Sequence, residues 1–217
     1  MVVDFRNFAD MVPKNGQPPS ITWIDDPVRL TMKSLAARYL EPHRHYHTLA
    51  HVQQGYVEYF KFFDSIDAVT FFSWAYHDSI YDPTRDDNEA RSAMLFEEDN
   101  RVLRFGVEDV DKIIALILST THTANTNIVT DIDLAGLGSP AEYYDENTRL
   151  IRTEYNFADD EMWKQGRTAF LKSFVQRAEE GKLYHTREFA AAYTERARNN
   201  MLRELLRLEG KLVPKLS

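Results

Sequence analysis

AVTFFSWAYHDSIY, residues 68–81, is apolar nearly all the way round at helical periodicity. A helix without a polar face belongs at the centre of a helical protein rather than on its surface. The stretch ends on an adjacent imidazole and carboxylate, His77-Asp78, where the negative end of the helix favours a cation. An ionised Asp next to a buried segment needs a partner. Upstream, His47-Thr-Leu-Ala-His51 places two imidazoles one helical turn apart.

Helical signals continue in both directions from residues 68–81. Before them, Leu49, Val52, Tyr56, Phe60 and Phe63 recur at three- and four-residue steps, which predicts a helix from His47 to about Phe63 with His47, His51 and Glu58 on its flank. Asp26-Pro27 reads as an N-cap with Pro at the first helical position, opening a helix that Pro42 ends. After the central stretch, Asp87 opens a helix stopped by Gly106, and Val110 to Leu118 form another. Residues 119–130 read as a Thr- and Asn-rich loop. Ser139-Pro140-Ala141-Glu142 reads as a capping box, and Asp159 and Thr186 open the last two helices. No alternating strand pattern exceeds four residues. The expectation is an all-α fold, one helical domain of about eight helices over residues 26–217, behind an irregular Pro-containing arm over residues 1–25.

Composition removes whole classes of function. Zero Cys excludes disulfides, thiolate catalysis and thiolate zinc sites, and fits a reducing cytoplasm. A formal charge of −8 gives no general attraction to a phosphate backbone, so no nucleic-acid polymer is expected as partner. A small phosphate ester remains open, because a bound cation reverses the local field. No apolar run reaches the roughly 20 residues of a membrane span, and the N-terminus shows no signal pattern. The expected protein is soluble, cytoplasmic and not membrane-bound. An apolar helix face could support a homodimer, although no stripe is surplus to the core.

A divalent ion accepts imidazole nitrogen and carboxylate oxygen together, and ligands from distant segments make a rigid site. The candidates are His51, His77, Asp78 and one Asp of Asp131-Ile-Asp133. Without thiolates the metal could be Mn, Fe, Co, Ni, Zn or Mg.

That order of residues, on helices, resembles the HD superfamily of metal-dependent phosphohydrolases. Tyr46-His47-Thr-Leu-Ala-His51 also resembles the Tyr-His-Asn-x-x-His signature of cyclic nucleotide phosphodiesterases, which share the architecture, with Thr48 in place of Asn. The resemblance implies that His51 ligates metal and that His47 is the general acid or phosphate contact. Ile132-Asp133-Leu134-Ala135 is similar to the Ala-Asp-x-Leu around the last HD ligand, with the Leu shifted by one, which favours Asp133 over Asp131. Guanosine tetraphosphate hydrolases carry Glu-Asp after the His-Asp motif. Here Tyr81-Asp82 keeps only the Asp, implying that Asp82 orients the attacking water and arguing against that substrate. RHYHTLAH, HDSIYDPTRDDNEARSA, LILSTTH with DIDLAGLG, and IRTEY together resemble a bacterial subgroup assigned to the HD phosphohydrolases, over roughly residues 35–205. This implies a reaction class without a substrate. His122 stands where HD proteins place a ligand to a second metal or a phosphate contact. A single His there implies a mononuclear site, with His122 touching a small phosphorylated substrate. Arg44, Arg91, Arg149 and Arg152 are candidates for phosphate binding.

Blander readings compete. His43 and His45 read as surface residues, Asp82 before Pro83 can simply make a turn, and Glu89 and Arg91 can form a solvated helix start. One of Asp131 and Asp133 is expected only to cap a helix. The rival function is a regulatory module holding a metal or nucleotide without turnover. A third reading, a dinuclear iron oxygenase, lacks the His ligands it would need.

Overall fold

The computed structural model describes residues 27–103, 108–123 and 126–211. The arm expected over residues 1–25 and the helix stop expected at Gly106 lie outside them. Among the described residues there are nine α-helices, one short 3-10 turn and no strand: α1 Pro27–Arg38, α2 Leu49–Phe60, α3 Ala68–Tyr76, α4 Asn88–Leu103, α5 Val110–Ser119, α6 Ile128–Leu134, the 3-10 turn Ala135–Gly138, α7 Ala141–Glu154, α8 Asp160–Glu179 and α9 Arg187–Leu208. None of these helices is long and apolar enough to cross a membrane.

The apolar stretch takes the central place its composition demands. Every residue of α3 from Thr70 to Tyr76 is buried, and α3 packs against α2, α4, α5 and α6. Asp67 caps its start, accepting from the backbone N–H of Thr70. Trp74, Tyr76, Phe71, Phe96, Ile113 and Ile117 are almost fully enclosed around it. A second group, with Leu171, Phe189, Ala197 and Met201, forms where α9 lies along α8 and the 3-10 turn. Both groups belong to one continuous buried cluster.

Between α7, α8 and α9 the core is polar. Arg167 donates to both Glu204 oxygens at 2.8 and 3.0 Å, and the Tyr144 hydroxyl donates to the same carboxylate. The Arg167 guanidinium also lies 5.0 Å from the Phe170 ring centroid. A buried bidentate pair is costly to break on one side only, because a desolvated charge is left alone. Arg167→Met should therefore lower unfolding stability by about 3 kcal/mol, with Arg167→Met/Glu204→Leu recovering much of the loss in denaturant melts. A single variant as stable as wild type would contradict this account.

The structure corrects several expected boundaries. The helix expected to start at His47 begins at Leu49, with Thr48 as its N-cap residue, so His47 and His51 do not share a helical face. Glu58 turns the other way and accepts from Tyr193, Gln54 and Lys61. The central helix ends at Tyr76 rather than Tyr81. Arg44 takes the carbonyls of Asp78 and Ser79, and Ser92 Oγ takes the Ile80 N–H, drawing the chain out of the helical ladder. The polar loop is shorter than expected, because Asn127 and Thr130 form a reciprocal capping box that starts α6 at Ile128. The expected capping box at Ser139 does not form. Its hydroxyl donates back to Gly136 O, although α7 starts at Ala141 as the Pro predicts.

Candidate metal centre

Three helices bring the ligand candidates together. His51 comes from the first turn of α2, His77 is the C-cap of α3, and Asp133 lies near the end of α6. His51 Nε2 is 3.3 Å from His77 Nε2 and 3.3 Å from Asp133 Oδ1, while His77 Nε2 is 3.8 Å from Asp133 Oδ1. Metal–ligand bonds of about 2.0–2.2 Å place neighbouring donor atoms roughly 3 Å apart, so this trio has the spacing of atoms sharing one ion, and it forms a group able to hold one. Asp78 stands at its edge, with Oδ2 2.9 Å from His77 Nε2 and 3.9 Å from His51 Nε2.

Neighbouring groups fix these side chains. His77 Nδ1–H donates to Trp74 O at 2.7 Å, which leaves Nε2 to face the other ligands. The Trp74 indole stacks on the His77 ring at 4.1 Å, and its Nε1–H is tied to Val52 O. Asp133 Oδ2 accepts from His122 at 2.8 Å. His122 is the only described non-Gly residue with positive φ, at 56°. It holds this uncommon conformation with its carbonyl bonded by Arg177 at 2.6 Å.

Charge follows geometry. Burial alone would lower the His77 pKa, but Asp78 and Asp133 outweigh it and hold the imidazole at about 9. For His51 burial prevails, and its pKa falls. Burial would raise Asp78, yet His77 and His47 keep it far below the usual carboxylate range. Asp133 is likewise depressed, with His122 and His51 overcoming its burial.

Beside the trio lies a second assembly that the sequence did not assign. The buried carboxylate of Glu154, at the end of α7, accepts from the backbone N–H groups of His45, Tyr46 and His47 through Oε1, at 2.7, 2.7 and 2.9 Å. Its Oε2 accepts from His47 Nδ1 at 2.6 Å and from the Tyr81 hydroxyl at 2.9 Å. Burial would raise this carboxyl, but His47 and the backbone N–H groups hold it at about 2. Burial opposes the His47 charge as well, and Asp78 with Glu154 raises its pKa nonetheless. The stability linked to Glu154 is fully present above its ordinary pKa of 4.5 and is lost as pH falls towards 2. It amounts to up to about 3 kcal/mol. Acid-unfolding curves of Glu154→Gln should therefore fall less than wild type between pH 4.5 and 2, with the part linked to Asp78 and Asp133 remaining. An unchanged acid limb would rule out the linkage. The only sequence trace of Glu154 is its place in the IRTEY stretch, because three backbone donors converging on one carboxylate leave no residue-type pattern.

The remaining candidates separate. Asp131 is fully buried and accepts from the N–H groups of His185 and Thr186 and from the Thr186 hydroxyl, tying α6 to the start of α9. Asp82 accepts from Thr84 N and Oγ1 at 3.0 and 2.6 Å, and the charges acting on it are Arg85 and His43, so it closes a turn and does not reach the centre. Half-buried Glu89 lies on α4. Burial first, then the field of Asp78 and Asp133, raises its pKa. Arg44 is not free to meet a substrate phosphate. It is enclosed between the Tyr39 and Tyr81 rings and spends its N–H groups on Glu41 and on the carbonyls of His47, Asp78 and Ser79. Arg91 is exposed in a cleft lined by none of the centre's residues. Arg149 and Arg152 pair with Glu146 and Asp160.

No protein-family model, no curated protein and no solved structure matches this chain. Its class therefore rests on the fold and the site, an all-α protein with a His-His-Asp group able to hold a metal ion.

Proposed function

We propose that the chain is a metal-dependent phosphohydrolase acting on a small phosphate ester such as a nucleotide. The observation that carries this reading is the convergence of His51, His77 and Asp133, with Asp78 at their edge, in the order of the HD resemblance. These four residues would hold a divalent ion, Mn, Fe, Co, Ni, Zn or Mg, and their mixed nitrogen and oxygen donors fit such an ion. Bound there, an ion supplies a lowered water pKa and polarises a phosphoryl oxygen.

The chain's own groups supply the rest. His47, fixed through Nδ1 on Glu154, carries a proton on Nε2 when charged. Water attacks phosphorus, the ester P–O bond breaks, and the leaving oxygen takes the His47 proton. The Glu89 carboxylate, which feels the field of Asp78 and Asp133, accepts the proton of the attacking water. His122, bonded to Asp133, would contact a phosphoryl oxygen.

The test is phosphate release from a panel of nucleoside monophosphates and simple phosphomonoesters with Mn, Co or Ni. Wild type should turn over at least one ester, and folded His51→Ala should retain under about 1% of that rate. No release by metal-loaded wild type, or full activity in His51→Ala, refutes the reading.

One observation favours a regulatory module instead. The ligand side chains are nearly closed to solvent, 0% exposed for His77 and 7% for His51. Co-purified nucleotide without phosphate release would support that alternative.

A further inference from the structure

A cleft of about 600 Å³ lies between the end of α1, the His43–His45 turn, the Tyr81–Thr84 turn, α4 and the end of α7, and none of His51, His77, Asp78 and Asp133 lines it. Its wall is chemically lopsided. Glu41 lines it, but that carboxylate is already paired with buried Arg44 at 3.0 Å. Asp82 lines it too, with one oxygen taking both the N–H and the hydroxyl of Thr84.

The cations are differently placed. Arg38 and Arg91 both line the cleft, and among the described residues neither guanidinium makes a hydrogen bond or ion pair. Arg38 acts electrostatically on Tyr76, and Arg91 on Asp87. His43 and His45 add two exposed imidazoles to the rim. In a chain of net charge −8, this cleft presents two arginines that no described group engages, beside three carboxylates, Glu41, Asp82 and Glu154, which already accept from Arg44, from Thr84, and from the His45–His47 segment with Tyr81. Phe157, 49% exposed, supplies an apolar face on the same wall.

We propose that this cleft is a second ligand site, separate from the metal centre, which binds the oxyanion of a phosphorylated small molecule between Arg38 and Arg91, with a planar part against Phe157. Arginine suits the task because its planar fork of N–H groups matches phosphate oxygens. The site neighbours the proposed catalytic group without containing it. Tyr81 and Glu154 both form part of the wall, and the Tyr81 hydroxyl bonds the Glu154 carboxylate that holds His47.

Calorimetric titration of metal-stripped protein with inorganic phosphate and with phenyl phosphate tests the proposal. Stripping keeps an anion from binding through an ion at the centre, so the outcome does not depend on whether the protein is a hydrolase. Both probes should bind, phenyl phosphate more tightly. A charge-assisted hydrogen bond is worth roughly tenfold or more in affinity, so Arg38→Gln and Arg91→Gln should each weaken both probes at least tenfold. Phe157→Ala should bring phenyl phosphate down to the affinity of inorganic phosphate, and Asp133→Asn should change neither. Arg91 is exposed and Arg38 makes no side-chain bond among the described residues, so both variants should keep the wild-type melting temperature. Absence of binding by wild type, or binding that survives both arginine substitutions, overturns the proposal. Loss in Asp133→Asn as large as in Arg91→Gln would place the anion at the metal centre and also overturn it.

Discussion

Asp133→Ala and Asp131→Ala, two residues apart, should fail in opposite ways. Asp133→Ala should stay folded and lose its metal, with affinity falling at least about a hundredfold. Even residues that only orient metal ligands cost ten- to a hundredfold when removed, and Asp133 Oδ1 is itself one of the three converging atoms. Its partners are polar and adaptable. His77 keeps Asp78, and His122 loses only a bond at the rim of the centre. Asp131→Ala should bind metal and melt early. It would leave the His185 and Thr186 N–H groups and the Thr186 hydroxyl without their acceptor where α6 meets α9, a loss of about 3 kcal/mol. Elemental analysis beside thermal melts separates the two outcomes. Metal retained by Asp133→Ala, or lost from a stable Asp131→Ala, would reverse the assignment.

Gly55→Ala should be among the most damaging substitutions in the chain, although it adds one methyl group to a helix. A Cβ at residue 55 would lie 2.1 and 2.3 Å from the Trp74 indole and 2.7 Å from the Ile132 side chain. The indole cannot step aside, since its Nε1–H is bonded to Val52 O and its face is stacked on His77. Overpacking a filled core costs about 1–3 kcal/mol and more where nothing yields, and here the loss should exceed 3 kcal/mol. The intrinsic helix preference for Ala over Gly, about 1 kcal/mol, acts in the other direction and is too small to compensate. Denaturant melts measure the first effect. Any folded fraction should also bind metal more weakly, because displacing Trp74 moves the carbonyl that orients His77. A Gly55→Ala protein as stable as wild type would show that α2 and α3 can separate.

The sequence was most legible where periodicity is local. The apolar residues of 68–81 announce a central helix, and α3 is that helix. Asp159 and Thr186 begin helices as caps do, each accepting from the backbone N–H three residues on. Helix ends were less legible, because they are set by partners far along the chain. Arg44, 34 residues from Asp78, ends α3, and Glu154, more than a hundred residues away, shapes the His45–His47 turn. The same holds for the candidate site. His51, His77, Asp78 and Asp133 could be picked out because their residue types and order carry chemistry. Asp82 and Arg44 have equally suitable chemistry, but Asp82 is drawn into a turn by Thr84 and Arg44 is spent on the carbonyls of His47, Asp78 and Ser79.

The amino-acid sequence by itself determined an all-helical chain without thiol chemistry or a membrane-length apolar run, and it named the side chains able to surround a cation. Those properties follow from composition and short-range periodicity, which any chain shows before it folds. Only the tertiary structure decided which carboxylate holds His47 and that Asp131 is spent on the start of α9. It also decided which arginines remain unpaired. Each of these depends on bringing donors and acceptors from separate helices within about 3 Å. Packing sets that proximity, and sequence spacing does not encode it.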